Sequence, residues 1–355
     1  MSLRLPDFPW DTLAPVAARA REHVDGIVDL SVGTPVDPTP AVVQQALREA
    51  ADSPGYPTTA GLPELAEACT GWMARRLGVD DVGFLPTIGS KEMVAWLPTG
   101  LGVGGSDVVV IPEVAYPTYA VGALVAGAEV VATDDVESVE NASMLWLNSP
   151  SNPTGSVLSV DRLREIVAWS RRQGIVVVSD ECYIELGWEQ EPISILDPRV
   201  NDGDLTNVLA LHSLSKRSSM AGYRFGFVAG DQDVIASLLA VRKHLGMMVP
   251  APIQRAAVAA YNDDAHVVEQ RGKYGRRREL LTAALESAGF VIDDSVAGLY
   301  LWVTRGEDSW DTARWFAERG ILVAPGAFYG DNTHVRVALT ATDERVDAAI
   351  SRLME

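Results

Sequence analysis

The stretch NVLALHSLSKRSSMAGYRFGFVAG, residues 207–230, sets two apolar runs around a loop that carries a single lysine. NVLALHS (207–213) and FGFVAG (225–230) are continuous rather than alternating, which is how strands covered on both faces read. Four more runs of this kind precede them: VVVIP (108–112), EVVAT (129–133), MLWLN (144–148) and IVVVSD (175–180). Helix signals fall between the runs. Ser159 is placed to cap VDRLREIVAWSRRQ and Gly174 to stop it, with Leu163, Ile166 and Val167 on one face. GSKEMVAWLPT (89–99) opens another helix, and a third starts near Asp231. Strand alternating with helix predicts an α/β fold with a mostly parallel central sheet and crossover helices.

The tail reads differently. Residues 264–289 form a long charged helix pattern with an apolar face through Leu280, Leu281 and Leu285. GLYLWVT (298–304) is a strand, SWDTARWFAERG a helix, ILVAPG a short strand, and HVRVAL (334–339) a strand with one covered face. Residues 341–354 close the chain as a helix. The expected organisation is an N-terminal segment (1–34) docking on the small domain or a partner subunit, a large domain (35–245), and a smaller α+β domain (246–355).

Bulk properties exclude several classes. The 355 residues are 47% apolar and 22% charged, an ordinary globular mix. A net charge of −19 repels nucleic acid and anionic membranes, so neither is an expected partner. Cys69 and Cys182 form no CxxC pair and the five histidines lack ligand spacing, so no metal site is expected. No continuous apolar run precedes Asp7 and no long uncharged apolar stretch follows, which makes the cytoplasm the expected location.

Two letter patterns mislead. GLGVGG (100–105) matches a dinucleotide-binding glycine motif, but it follows a helix pattern and precedes a strand, the reverse of the required context. Ser213 and Lys216 form S-x-x-K, yet the SDN and KTG elements that accompany it in serine acyl-transfer enzymes are missing.

Lysine is scarce, with Lys91, Lys216, Lys243 and Lys273 against 25 arginines among 29 basic residues. Lys216 sits among Ser213, Ser215, Ser218 and Ser219, with Arg224 eight residues on. Small hydroxyls and an arginine suit a phosphate, and the amine suits an aldehyde. Asp180 ends an apolar run, at the strand edge where open α/β sheets bind ligands, and a carboxylate there needs a cationic partner such as a protonated ring nitrogen. Tyr183 follows with a phenol. NSPSNPTG (148–155) is another strand-end loop, and GSKE (89–92) offers free N–H groups at a helix start.

These segments resemble the class I/II aminotransferases of the aspartate aminotransferase fold (fold type I), over nearly the whole chain from DLSVGTPVDPTP to HVRVALT. The spacings agree as well as the letters: 28 residues from Asn152 to Asp180, three more to Tyr183, eight from Lys216 to Arg224. The resemblance implies pyridoxal 5'-phosphate as cofactor and a homodimer. It implies Lys216 as the Schiff-base and proton-transfer lysine and Asp180 as partner of the pyridine nitrogen. Asn152 and Tyr183 would bond the ring hydroxyl oxygen. Ser90, Ser213, Arg224 and the Lys91 N–H would hold the phosphate. Tyr116 would stack on the ring, and Tyr56 would reach the neighbouring subunit's phosphate site. Arg336 would grip the substrate α-carboxylate beside Gly33. The substrates implied are small amino and 2-oxo acids.

Within that family, FPWDTLA, DGIVDLSVGTPVDPTP, PGYPTTAG, PTIGSKE and AWLPTGLGVG are similar to the actinobacterial succinyldiaminopimelate aminotransferases. That resemblance implies transfer between glutamate and N-succinyl-2-amino-6-oxopimelate, a step of diaminopimelate and lysine synthesis. Distal carboxylates on such a substrate need cations, for which Lys91 and Arg21 are the candidates. The same core motifs would also serve another class I/II aminotransferase or a lyase on this scaffold.

Overall fold

A computed structural model describes residues 5–355. Its centre is a seven-stranded sheet in the spatial order Gly83–Thr87, Gly226–Gly230, Val208–Ser213, Val176–Asp180, Ala142–Asn148, Val108–Ile111, Glu129–Ala132. Only Gly226–Gly230 runs antiparallel to its neighbours. The six runs read from sequence are all present. The seventh strand, Gly83–Thr87, is an edge strand containing Pro86, a residue that weakens a strand signal and is tolerated at an edge.

The inner strands are buried on both faces because helices cover both sides. Leu145, Leu147 and Val177 face one apolar core with Leu163, Ile166 and Trp72. Met144, Trp146 and Val178 face the other, with Tyr119, Met93 and Leu97. The helix Val160–Gln173 begins where Ser159 Oγ accepts the Arg162 N–H at 3.2 Å, and ends at Gly174 in the left-handed region. A cap of that kind contributes about 1 kcal/mol. Asp231 caps Gln232–Leu245 through the N–H groups of Asp233 and Val234.

A second, four-stranded antiparallel sheet orders Ala324–Pro325, His334–Ala338, Tyr300–Thr304 and Val291–Asp293. Its core takes in Leu281 and Leu285 from the helix Ala265–Ser287, whereas Leu280 is 49% exposed, so the apolar stripe is narrower than the sequence suggested. His334–Ala338 is covered on both faces past His334, not one, because its second face packs on the site described below. Leu13, Val16, Ala17 and Ala20 join this same core, and Val28–Asp29 pairs in parallel with Ile321–Leu322. The helix Ala251–Tyr261 lies beyond the expected boundary at 245/246, yet buries Ala256, Ala257, Ala260 and Tyr261 in the large-sheet core. Its small side chains let it pack closely on Ala41–Glu49 and Pro63–Leu77, so structurally it goes with the large unit. Among the described residues no helix is long and apolar enough to cross a membrane.

Candidate active site

The loops at the carboxyl ends of the central strands open, together with the N-terminal segment and the second sheet, on a cavity of about 510 Å³. Lys216 lines it. The strand Val208–Ser213 passes straight into the short helix Leu214–Arg217 because Ser213 Oγ accepts the Ser215 N–H at 3.1 Å. Lys216 Nζ donates to the carbonyl oxygen of Gly33. Burial holds the Lys216 ammonium below the ordinary lysine range, which favours a neutral, nucleophilic amine.

Asp180 closes the strand Val176–Asp180 and is 7% exposed. Its hydrogen bonds come from two neutral donors: Tyr119 Oη to Oδ2 at 2.9 Å and the Cys182 N–H to Oδ1 at 3.2 Å. Burial raises its proton affinity. Asn148 fixes the turn, its Nδ2 donating to the Asp180 carbonyl at 2.9 Å and its Oδ1 accepting the Asn152 N–H at 2.7 Å.

One end of the same cavity is cationic and rich in N–H and hydroxyl groups. The helix Ser90–Gly100 begins with N–H groups that lack intrahelical acceptors, directed by Gly89 at φ +74°. The Arg224 guanidinium lies so close that a Cβ on Gly89 would collide with it. Arg224 is itself left-handed (φ 56°) and donates to the Ala221 carbonyl at 2.9 Å. Ser90, Ser213, Ser215 and Arg224 all line this end. Glu92 anchors the helix start through Arg242 at 2.6 Å and the Ile88 N–H at 3.1 Å.

Arg336 comes from the second sheet and is 2% exposed. Its Nη1 donates to Asn152 Oδ1 at 2.7 Å and its Nη2 to the Ser31 carbonyl at 2.6 Å, both neutral oxygens, and its Nε has no partner among the described residues. The guanidinium carbon lies 4.0 Å from the Tyr300 ring centroid. Tyr300 Oη meets Tyr183 Oη at 3.1 Å, and burial, then the neighbouring Tyr300, pushes the Tyr183 phenol's pKa up. Gly33 is required beneath them, since a Cβ there would fall on the Tyr300 hydroxyl.

Of the residues named from sequence, twelve line or touch this cavity: Gly33, Ser90, Lys91, Tyr116, Asn152, Asp180, Tyr183, Ser213, Ser215, Lys216, Arg224 and Arg336. Lys91 Nζ sits 5.4 Å from the Phe8 ring centroid and 5.9 Å from that of Tyr116. Tyr56 does not reach the cavity; it is 96% exposed on the loop before Pro63. Arg21 ends the helix Ala14–Arg21 and does not line the cavity either, because that helix turns its buried face to the small-domain core. Sequence reading missed Phe8, Trp10, Tyr119, Asn148, Cys182 and Tyr300, all of which line the cavity. Tyr119 alone carried a signal, since it closes the same EVAYPTY segment three residues after Tyr116, just inside the helix Thr118–Ala126.

The donor set fits pyridoxal 5'-phosphate. A buried carboxylate with neutral partners calls for a cation such as a protonated ring nitrogen. A buried amine suits an aldehyde, and the helix start with Arg224 and two serines suits a phosphate dianion. The second, unsatisfied arginine, Arg336, suits a carboxylate.

Comparison with known proteins agrees. The family model described as aminotransferase class I and II matches residues 25–353. A probable aminotransferase of Mycobacterium tuberculosis (strain ATCC 25618 / H37Rv) is 59% identical, covering 99% of this chain and 86% of its own. The 4-dedimethylamino-4-oxo-anhydrotetracycline transaminase OxyQ of Streptomyces rimosus is 54% identical, covering 98% of this chain and 99% of its own. The structure of a probable N-succinyldiaminopimelate aminotransferase from Thermus thermophilus superposes with a TM-score of 0.87 at 30% identity, covering 98% of this chain and 99% of that one.

Proposed function

The chain belongs to the class I and II aminotransferases, uses pyridoxal 5'-phosphate, and, we propose, exchanges an amino group between glutamate and N-succinyl-2-amino-6-oxopimelate. The products of that exchange are 2-oxoglutarate and N-succinyl-LL-2,6-diaminopimelate. The observation that carries the catalytic part of the reading is the meeting, in one cavity, of a buried amine (Lys216), a buried carboxylate without a cation (Asp180) and a buried guanidinium bonded only to neutral oxygens (Arg336).

When bound, the cofactor supplies an electron sink for the charge left at the substrate Cα. The chain's own residues do the rest. Lys216 Nζ is the base that takes the Cα proton, and its lowered proton affinity keeps the free-amine form available. Asp180 would hold its negative charge against the ring nitrogen, and Tyr116 would stack on the ring. Asn152 spends its Oδ1 on Arg336 and so has its Nδ2 to give to the ring hydroxyl oxygen, beside the Tyr183 phenol. Arg224, Ser90, Ser213 and the Lys91 N–H would hold the phosphate, and in a homodimer Tyr56 would be delivered to it from the second copy. Arg336 and the backbone at Gly33 orient the α-carboxylate, which fixes the direction of the Cα–H bond.

The finer substrate assignment draws on the likeness to the Thermus thermophilus protein and on Lys91, the fourth cation lining the cavity after Lys216, Arg224 and Arg336. A distal carboxylate would meet the Lys91 ammonium. A second reading is favoured by the likeness to OxyQ and by the aromatic wall of Phe8, Trp10 and Tyr116: a bulky ring ketone as amino acceptor. A donor–acceptor panel on purified protein, read by product mass, separates the two. The first reading expects 2-oxoglutarate to be converted to glutamate with N-succinyl-LL-2,6-diaminopimelate as preferred donor. It further expects Lys91→Ala to raise KM for that donor by about tenfold, the worth of one charge-assisted hydrogen bond, and to leave a short amino acid unaffected. An equal effect on both removes Lys91 from specificity. Preference for a polycyclic ketone overturns the diaminopimelate assignment, and cleavage of the carbon skeleton without amino transfer overturns both.

A further inference from the structure

Asp180 sits in an apolar layer, and one side chain stands behind it. Tyr119, on the helix Thr118–Ala126, is fully buried between that helix and the sheet. Its ring lies nearly parallel to Trp146, with centroids 5.1 Å apart and 24° between planes, and edge-on to Tyr116 at 5.8 Å. The two contacts leave the phenol one direction, and its hydroxyl donates to Asp180 Oδ2 at 2.9 Å. The other carboxylate oxygen takes the Cys182 N–H at 3.2 Å. Each oxygen therefore has one neutral protein donor and lone-pair capacity left for a cation.

We propose that Tyr119 is a positioning residue: clamped by Trp146, its hydroxyl fixes the Asp180 carboxylate and keeps it charged for the cofactor's ring nitrogen. The proposal rests on the reading that Asp180 faces that nitrogen. Two physical effects act in the same direction. A donor to the ionised form opposes the desolvation that otherwise protonates a buried carboxyl. The phenol stays a donor, because burial and the adjacent Asp180 charge push its own ionisation far above neutrality. Sequence alone gives no sight of this pair, which is separated by 61 positions.

The test uses full-length protein and equilibrium binding rather than turnover. Affinities of the cofactor-free enzyme are measured for pyridoxal 5'-phosphate and for its 1-deaza analogue, in which carbon replaces the ring nitrogen. Tyr119→Phe removes one oxygen and keeps the ring stack. It is expected to weaken the natural cofactor ~10- to 100-fold, the loss of one hydrogen bond to a charged group, and the analogue less than about twofold. Tyr119→His restores a donor and is expected to recover most of the discrimination. Equal losses for both ligands in Tyr119→Phe, or no loss for either, overturn the proposal. Should Tyr119→Phe be too unstable to assay, Tyr119→His carries the same comparison, and loss of its discrimination overturns the proposal. Asp180→Asn separates the two layers of the argument. If Asp180→Asn leaves the preference for the ring nitrogen unchanged, the Asp180 reading itself falls. If Asp180→Asn abolishes that preference while Tyr119→Phe keeps it, only the role of Tyr119 falls.

Discussion

Replacing Arg336 by methionine removes a charge that the folded protein holds without an anion. The side chain is 2% exposed, and its two bonds run to Asn152 Oδ1 and the Ser31 carbonyl. Two opposing effects follow for the cofactor-free protein. A buried cation and its desolvation cost disappear, while two acceptors lose a donor at about 1–3 kcal/mol each. The expected net change in stability is small, within about 2 kcal/mol of the parent, because methionine refills the space beside Tyr300 and Tyr329. The reaction offers no such compensation. A bidentate guanidinium–carboxylate pair comprises two charge-assisted bonds of about 1.5–3 kcal/mol, so kcat/KM for glutamate should fall ~10²- to 10⁴-fold. Lysine keeps the charge but not the fork, and Arg336→Lys should recover only part of that loss. The assay is the single-turnover half-reaction, followed by the absorbance change of the cofactor, for an amino acid and for the amine that lacks its carboxylate. The amine should not distinguish Arg336→Met from the parent. A loss below tenfold for glutamate, or an equal loss for the amine, would refute the assignment of Arg336 to the α-carboxylate.

Lys216→Ala should abolish the imine absorbance and lower turnover at least ~10³-fold while the protein still folds; borohydride reduction and peptide mapping of the parent should label position 216, and labelling elsewhere would refute its role. A pH dependence should come from Glu181 and His212, buried neighbours with Oε2 and Nε2 3.7 Å apart. Burial pushes the Glu181 carboxyl up to about 8 and the His212 imidazole down to about 3. The Glu181 proton is held more tightly in the folded chain, so its contribution to stability is lost as pH rises from 4.5 through 8. His212 contributes in the opposite sense, losing stability as pH falls from 6.5 through 3. Above pH 6.5 only Glu181 acts, and Glu181→Gln should remove a decline of about 2 kcal/mol between pH 6.5 and 8, read by urea unfolding at the two values. Parallel pH slopes for parent and variant would refute it.

The parts of the fold that were legible in the sequence are those with strong local physics. Buried parallel strands must be apolar on both faces, and Val176–Asp180 and Val208–Ser213 announce themselves by that alone. Ser159, Gly174 and Asp231 mark helix ends because orphan N–H and C=O groups need partners. Gly83–Thr87 escaped because an edge strand tolerates Pro86, and Ala251–Tyr261 because its burial depends on two helices some 200 residues upstream rather than on its own periodicity. The site was legible where chemistry is concentrated in one loop, as around Lys216, or at a strand terminus, as at Asp180 and Asn152. Tyr300 and Trp10 were not, since nothing in GLYLWVT or FPWDT marks a ring that packs over an arginine; only the fold brings Arg336 to 4.0 Å from one and 5.9 Å from the other.

The cavity has a further property that no single segment contains. Its lining comes from three parts of the chain, and the two hydrogen bonds of Arg336 tie all three together: the second sheet supplies the guanidinium, the strand-end loop supplies Asn152, and the N-terminal segment supplies the Ser31 carbonyl. Lys216 adds a second tie to that segment through Gly33. Both ties use the groups that ligands would engage. A carboxylate arriving at Arg336 competes with two neutral acceptors, and an aldehyde at Lys216 releases the Gly33 carbonyl. The seating of the N-terminal segment on the second sheet rests on other contacts as well: Val28–Asp29 pairs with Ile321–Leu322, and the Ala338 N–H donates to the Leu30 carbonyl at 2.8 Å. The segment around residues 31–33 thus borders the ligand site directly, through the Ser31 carbonyl on Arg336 and the Gly33 carbonyl on Lys216.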